Sequence, residues 1–298
     1  MLSLTDLAAL AATYPNDLHR AVAPLRIGER EFAGTSSPVI MGCINLSRDS
    51  TYRESIATST ASAVRKAKVM SAQGADLIDI GAESSTARAA RVGPDEQIAT
   101  LVPVIERLAD EDIAVSAETY DVKVVAACLK AGAKVLNLTG TEDHEQIFDL
   151  AAQHDATVVL CYVGGANVRE ISDVFVEADP IPALLEHFAG RIEAARSRGV
   201  DRLVIDPGMG FYYGNLVDPT ARARHQALVI LNSFRLRVLK LPICNAMPHA
   251  FDLFEAEFRS AEGFFAVLGV LGGTNVIRTH EVAHVRAVID AMRALDSQ

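Results

Sequence analysis

The chain holds 298 residues, half of them hydrophobic and 22% charged, with 28 Lys plus Arg against 38 Asp plus Glu and a formal net charge of −10. That is the composition of a folded enzyme rather than of a disordered or membrane-spanning chain. An acidic chain with no Trp and only 6% aromatic residues repels a phosphate backbone and offers few stacking platforms, which excludes nucleic acid as an expected partner.

In chain order, residues 1–37 read as an N-terminal extension, with a short Ala/Leu-rich helical piece and a strand near Leu25–Phe32. From 38 to 298 the pattern becomes regular. Short apolar, β-branched runs at 39–45, 76–80, 113–117, 134–138, 157–162, 202–206, 241–245 and 274–278 predict strands. Helix-forming segments at 57–73, 95–110, 121–131, 145–154, 181–198, 220–235, 258–271 and 280–295 alternate with them. Eight such alternations, with near-continuous apolar strands, predict an α/β fold, a (β/α)8 barrel of about 260 residues behind a short extension that covers part of it. A doubly wound sheet would carry a glycine-rich turn after its first strand, where Asn45-Leu46-Ser47-Arg48-Asp49 stands instead.

Other stretches bound partners and compartment. The longest apolar run, Gly263 to Gly273, falls short of the roughly 18 residues that cross a bilayer, so no membrane association is expected. The start MLSLTDLAAL lacks the basic region of a signal peptide. Cys43, Cys128, Cys161 and Cys244 are widely spaced and form no CxxC, which predicts reduced thiols and a cytoplasmic protein. The helix at 258–271 is apolar on all sides, unlike an outer-ring helix, and predicts a homodimer contact, the alternative cover being the N-terminal extension.

Polar residues at the C-terminal strand ends of such a barrel converge on one mouth. Here they are Asn45, Asp79 with Glu83, Glu118, Asn137, Asp206, Asn245 and Arg278. Carboxylates and carboxamides deep in a mouth suit a planar heterocycle with an amidine-like donor edge, because a carboxylate accepts two parallel N–H bonds. Arg278, with Asn45 and His280, predicts a cationic patch for an anionic tail.

The segments Ile40–Ser50, Gly74–Ser85, Ile205–Phe211 and Ile277–Glu281 resemble, in this order, the motifs of dihydropteroate synthase. Enzymes of that family join a dihydropterin pyrophosphate to p-aminobenzoate and release pyrophosphate with Mg²⁺ assistance. The resemblance implies a reduced pterin (or folate) substrate held by Asn137 and Asp206. It implies that Arg278 stacks on the ring and, with Asn45 and His280, holds the pyrophosphate, with Asn45 also serving Mg²⁺. Asp49 is then part of a mobile first loop, and Ser85, Glu118, Phe211, Asn245 and His249 are expected on the substrate side.

The sequence departs from the family pattern at instructive places. Glu118 stands for an aspartate, its extra methylene carrying the carboxylate about 1.5 Å further. Leu138 follows Asn137 in place of an acid, and Ser84-Ser85-Thr86-Ala87 lacks the loop arginine unless Arg88 supplies it. The fifth strand ends Cys161-Tyr162-Val163-Gly164-Gly165 rather than with a histidine. The Ser-Arg-Lys after the seventh strand is replaced by Asn245-Ala246-Met247-Pro248-His249, and Lys240 is the last lysine in the chain. The pterin and pyrophosphate half is kept and the aminobenzoate half rewritten, so a transferase with an altered or absent second substrate is expected. A folate-dependent methyltransferase and a catalytically silent pterin-binding paralogue stay open beside it. His280-Glu281-Val282-Ala283-His284 also matches HExxH, which on a helix predicts a zinc site, though no third ligand follows.

Overall fold

The computed structural model describes residues 3–33, 37–47, 49, 52–84, 89–170, 178–211 and 216–295. A capped helix α1 (Leu4–Thr13) and a single turn α2 (Pro15–Leu18) lead into a hairpin of β1 (Leu25–Ile27) and β2 (Arg30–Phe32). Then come β3 (Val39–Asn45), α3 (Thr60–Ala72), β4 (Leu77–Gly81), α4 (Pro94–Ala109), β5 (Val115–Thr119) and α5 (Val122–Lys130). The alternation continues through β6 (Val135–Leu138), α6 (His144–Gln153), β7 (Thr157–Cys161), α7 (Ile181–Ser197), β8 (Leu203–Asp206) and α8 (Pro219–Asn232). It ends with β9 (Cys244–Ala246), the short α9 (Phe251–Phe254), α10 (Arg259–Leu271), β10 (Val276–Thr279) and α11 (Val282–Ala294).

β3 to β10 form one parallel sheet in the order β8-β7-β6-β5-β4-β3-β10-β9. An Ile205–Ile243 bridge, with Ile205 N–H donating to Pro242 O at 3.0 Å, joins the two ends and closes the expected barrel. Local chemistry sets the helix starts. The Asp121 carboxylate accepts the amides of Lys123 and Val124 at the start of α5, and Asp218 accepts that of Ala221 in α8. α8 stops at Asn232, short of the expected 235. There Asn232 Nδ2 and Ser233 Oγ bond back to the carbonyls of Leu228 and Val229, and the chain continues in 3₁₀ turns from Ser233 to Leu239.

Side chains alternate along each strand, so one set faces the helices and the other the barrel axis. The axial set includes Val39, Met41, Leu77, Val135, Val159, Val204 and Val276, and Leu25 and Ile27 of the hairpin pack into the same cluster. The extension therefore plugs the N-terminal end of the barrel. Its helical part lies elsewhere, on the 233–240 segment, where Arg237 donates to Leu18 O at 2.7 Å and Ala23 N–H to Lys240 O at 3.0 Å. α10 buries Phe265, Ala266 and Leu268, while Phe264 and Leu271 on its outer side stay half-exposed.

Candidate active site

The same period-two alternation that builds the axial core places its next layer up, toward the strand C-termini, as polar. β4 contributes Asp79, β5 Glu118, β6 Asn137, β7 Cys161, β8 Asp206 and β10 Arg278. The register sets Glu118 beside both Gly81 and Asn137, and Cys161 beside Asp206. Asp79 Oδ2 accepts from Arg278 Nε at 2.8 Å and from Asn137 Nδ2 at 3.1 Å, while Arg278 Nη2 donates to Glu118 Oε2 at 2.9 Å. The Cys161 thiol donates to Asn137 Oδ1 at 3.1 Å. The asparagine is thus held amide-nitrogen to carboxylate and oxygen to thiol. Gly81 makes room for the longer Glu118, since a Cβ there would come within 3.1 Å of Glu118 Oε2. Asp79 Oδ1 is buried without a hydrogen-bond partner among the described residues.

Three carboxylates share this layer with one guanidinium, and burial acts on the surplus. Burial pushes Glu118 up to about 7 against the pull of Arg278, with Asp79 adding to the rise. It pushes Asp206 up to about 6, although the Gly208 amide at 2.8 Å from Asp206 Oδ1 works the other way. That hydrogen bond needs the turn after β8, where Gly208 takes a φ of +80°, a conformation open to glycine. The layer is therefore a buried acceptor surface poised to exchange protons near neutrality.

A second cluster lies at the ends of β9 and β10. Glu262 of α10 is fully buried. Its Oε1 lies 3.0 Å from His280 Nδ1 and 3.2 Å from His249 Nδ1. Its Oε2 accepts the Thr279 hydroxyl and the amides of His280 at 2.8 Å and Glu281 at 3.2 Å. Burial would raise the Glu262 carboxyl, but the hydrogen bonds from His249 and His280 outweigh it and hold it well below the usual carboxylate range. Burial lowers His280 to about 4 despite that partner, so the ring is neutral at neutral pH. The cationic patch expected from Arg278, Asn45 and His280 is corrected accordingly. Arg278 is turned onto Asp79 and Glu118, His280 is uncharged, and Asn45 Nδ2 donates to Ser55 Oγ at 2.5 Å.

Tyr52, from the first loop, stacks on His280 with ring centres 4.5 Å apart and planes 16° off parallel, and packs against His249, Phe251 and Phe258. Its hydroxyl donates to Glu281. Asp49, in the same loop, accepts the Ala90 amide at 3.2 Å and is drawn toward the second loop. That loop is itself tied down. Glu83 accepts the Tyr120 hydroxyl at 2.5 Å and the Val92 amide at 3.0 Å, and the buried Arg169 donates to the carbonyls of Ser84 (2.8 Å), Ala89 and Ala90 (3.4 Å). Ser85 and Arg88 lie outside the described residues. Phe211 packs beside Tyr162 and Leu216 at the rim.

Two expectations fail. Asn245 faces the helix layer rather than the mouth: between the axial Cys244 and Ala246, its amide donates to Ser233 Oγ at 3.1 Å and Thr274 Oγ1 at 2.8 Å. Parity along β9 decides this. The HExxH match does not form a helical zinc pair either, because α11 starts at Val282, beyond His280, and the His284 ring lies over Gly263 of α10.

The model of the family described as "Pterin binding enzyme" matches residues 41–280. The chain belongs to the pterin-binding enzyme family. Within that family it is similar to the dihydropteroate synthases of Bacillus subtilis, at 28% identity over 86% of this chain and 88% of the relative, and of Synechocystis, at 28% over 90% and 95%. Among solved structures it resembles Xanthomonas albilineans dihydropteroate synthase with 4-aminobenzoic acid, at 25% identity and a TM-score of 0.77 over 93% of this chain and all of that one. A Yersinia pestis dihydropteroate synthase with a sulfonamide shares the fold at a TM-score of 0.79, with 23% identity over 92% of this chain and all of that one.

For this pterin-binding enzyme, sequence reasoning found the axial layer, but it missed Tyr52, Arg169 and Glu262. Glu262 left a readable trace as the one carboxylate in the apolar run Ala261–Leu271, where a charge needs a buried partner. Arg169 and Tyr52 left none, because their partners come from distant loops.

Proposed function

We propose that the protein is a dihydropteroate synthase-like transferase that binds a dihydropterin pyrophosphate in the barrel mouth and transfers the pterin-methyl group to an acceptor other than, or bound differently from, p-aminobenzoate. The observation that carries this reading is the buried acceptor layer of Asp79, Glu118, Asn137 and Asp206 inside a barrel of this family. A 2-amino-4-oxo pterin edge presents an amine and a ring N–H in parallel, which matches a carboxylate such as Asp206. Asn137 Oδ1 accepts only a weak thiol donor, which a ring amine can displace. Asp79 Oδ1 is one more buried acceptor awaiting a donor.

At the other end of the substrate, Arg278 would meet the negative charge developing on the leaving oxygen only by releasing Asp79 and Glu118, which hold its guanidinium in this structure. The carboxamide of Asn45 is a hard oxygen donor of the type Mg²⁺ takes, and Mg²⁺ bound with the pyrophosphate would neutralise further charge there. The acceptor side is where the chain has diverged. Tyr52, His249, Phe251 and Phe258 form an aromatic cluster, and Glu118 is committed to Arg278. A homodimer through the outer side of α10 is part of the proposal, supported by the half-exposed Phe264 and Leu271. A cytoplasmic location is supported by four free, buried cysteines. No helix among the described residues is long and apolar enough to cross a membrane.

The test is turnover with 6-hydroxymethyl-7,8-dihydropterin pyrophosphate, Mg²⁺ and a panel of arylamines that includes p-aminobenzoate, following pyrophosphate release and pterin conjugates by mass spectrometry. Pyrophosphate release that disappears in Asp206→Ala is expected. Release unchanged in that variant, or absent with every acceptor although the pterin binds, refutes a transferase with this ring site.

A further inference from the structure

The geometry points to a transition-metal site formed by His249, Glu262 and His280, separate from any Mg²⁺ that accompanies a pyrophosphate. The three residues come from three elements, namely the loop after β9, α10 and the end of β10. Each offers a ligand atom, and those atoms lie within 4.8 Å of one another.

The two oxygens of Glu262 are used differently. Oε2 is held by the Thr279 hydroxyl and two backbone amides, which fixes the plane of the carboxylate as an outer shell does around a metal ligand. Oε1 faces the two imidazole nitrogens, at 3.0 and 3.2 Å. Bonds from Zn²⁺ to imidazole nitrogen and carboxylate oxygen are about 2.0–2.2 Å, so two of them meeting at a right to tetrahedral angle span roughly 2.8–3.6 Å. The two separations from Oε1 fall inside that span. An ion can replace the Nδ1 protons that otherwise bridge the rings to the carboxylate, each ring then carrying its proton on Nε2, as the three ligand atoms, now within 4.8 Å of one another, draw together around it.

The donor set selects the ion. Two imidazoles and one carboxylate suit Zn²⁺, Co²⁺ or a neighbouring first-row ion, and Mg²⁺, which prefers oxygen ligands throughout, is excluded. The rings of Tyr52, on His280, and of Phe251, on His249, wall the cluster and lower the local dielectric, which strengthens attraction between a dication and the Glu262 carboxylate. Residual exposure of His249 (15% of its side chain) and His280 (9%) leaves a path for entry. A bound ion would cross-link the loop after β9 to the end of β10, the corner at which the sequence has lost the family's Ser-Arg-Lys. The HExxH pattern thus contains one true ligand, His280, whose partners are remote in sequence.

The experiment uses the full chain stripped with EDTA and titrated with Co²⁺ alone, read by visible ligand-field absorption, with Zn²⁺ and Mg²⁺ as competitors. The expected result is one Co²⁺ per chain, displaced by Zn²⁺ and not by Mg²⁺, with the bands lost in His249→Ala and in Glu262→Gln and kept in His284→Ala. Circular dichroism establishes that each variant is folded. Should Glu262→Gln fail to fold, the partly exposed His249→Ala decides alone. Absence of ligand-field bands in the wild type, or bands that survive His249→Ala, overturns the site. The readout is independent of pterin binding, so it stands or falls apart from the proposed transferase activity.

Discussion

Replacing Arg278 with Met removes the only guanidinium among the described residues that pairs with Asp79 and Glu118. Breaking a buried ion pair from one side typically destabilises by about 3–5 kcal/mol, because a charge is left uncompensated. Here the loss should depend on pH in a calculable way. Glu118 is held at about 7 in the folded protein by burial, with Arg278 pulling it down. Without Arg278 its folded pKa rises further. A carboxyl whose folded pKa is raised contributes stability that is present at low pH and lost as pH climbs through the folded value. At about pH 5.5 Glu118 is protonated in both proteins, so its share of the difference is near zero. At about pH 8.5 the wild type has ionised it beside Arg278. The variant must keep it protonated against the solution or bury the bare charge. A tenfold change in proton activity corresponds to about 1.36 kcal/mol, so keeping Glu118 protonated from about pH 7 up to about pH 8.5 costs about 2 kcal/mol, about thirtyfold in the unfolding equilibrium. Urea unfolding of wild type and Arg278→Met at both pH values measures this directly. A destabilisation that is the same at both pH values, to within about 0.5 kcal/mol, refutes the argument that Arg278 serves to hold Glu118 ionised.

Pterin binding should weaken as pH falls through about 7 to 6, because Glu118 and Asp206, raised by burial to about 7 and about 6, lose acceptor capacity on protonation. Calorimetry in buffers of different ionisation enthalpy should then show proton release on binding near pH 6 that shrinks at pH 8. Asn245→Ala should lower stability by about 1–3 kcal/mol, because the hydroxyl oxygens of Ser233 and Thr274 lose the amide N–H they accept, and leave pterin affinity within about twofold; a large affinity loss at full stability would return Asn245 to the site. Arg169→Met should free the carbonyls of Ser84, Ala89 and Ala90 and leave Glu83 uncompensated, so hydrogen exchange over residues 89–92 should accelerate at least tenfold while the strands stay protected.

The alternation of strands and helices and the polar strand ends were legible in the sequence because both follow from local periodicity. Buried parallel strands are apolar throughout, and their C-terminal ends meet at one mouth whatever the barrel encloses. Asp79, Glu118, Asn137, Asp206 and Arg278 could therefore be found from the linear chain. Asn245 was misplaced because its strand is only three residues long and a shift of one position reverses the face.

The order of elements, the closed barrel and the residues of its polar layer thus follow from the pattern of the chain alone. How those residues use one another was settled by packing. Arg278 turned from the expected anion patch to Asp79 and Glu118 because three buried carboxylates need a cation, and no spacing along the chain encodes that balance. The grouping of His249, Glu262 and His280 likewise exists only after the loop behind β9, α10 and β10 have packed together. The neutral state of His280 follows from a burial that the linear chain does not possess.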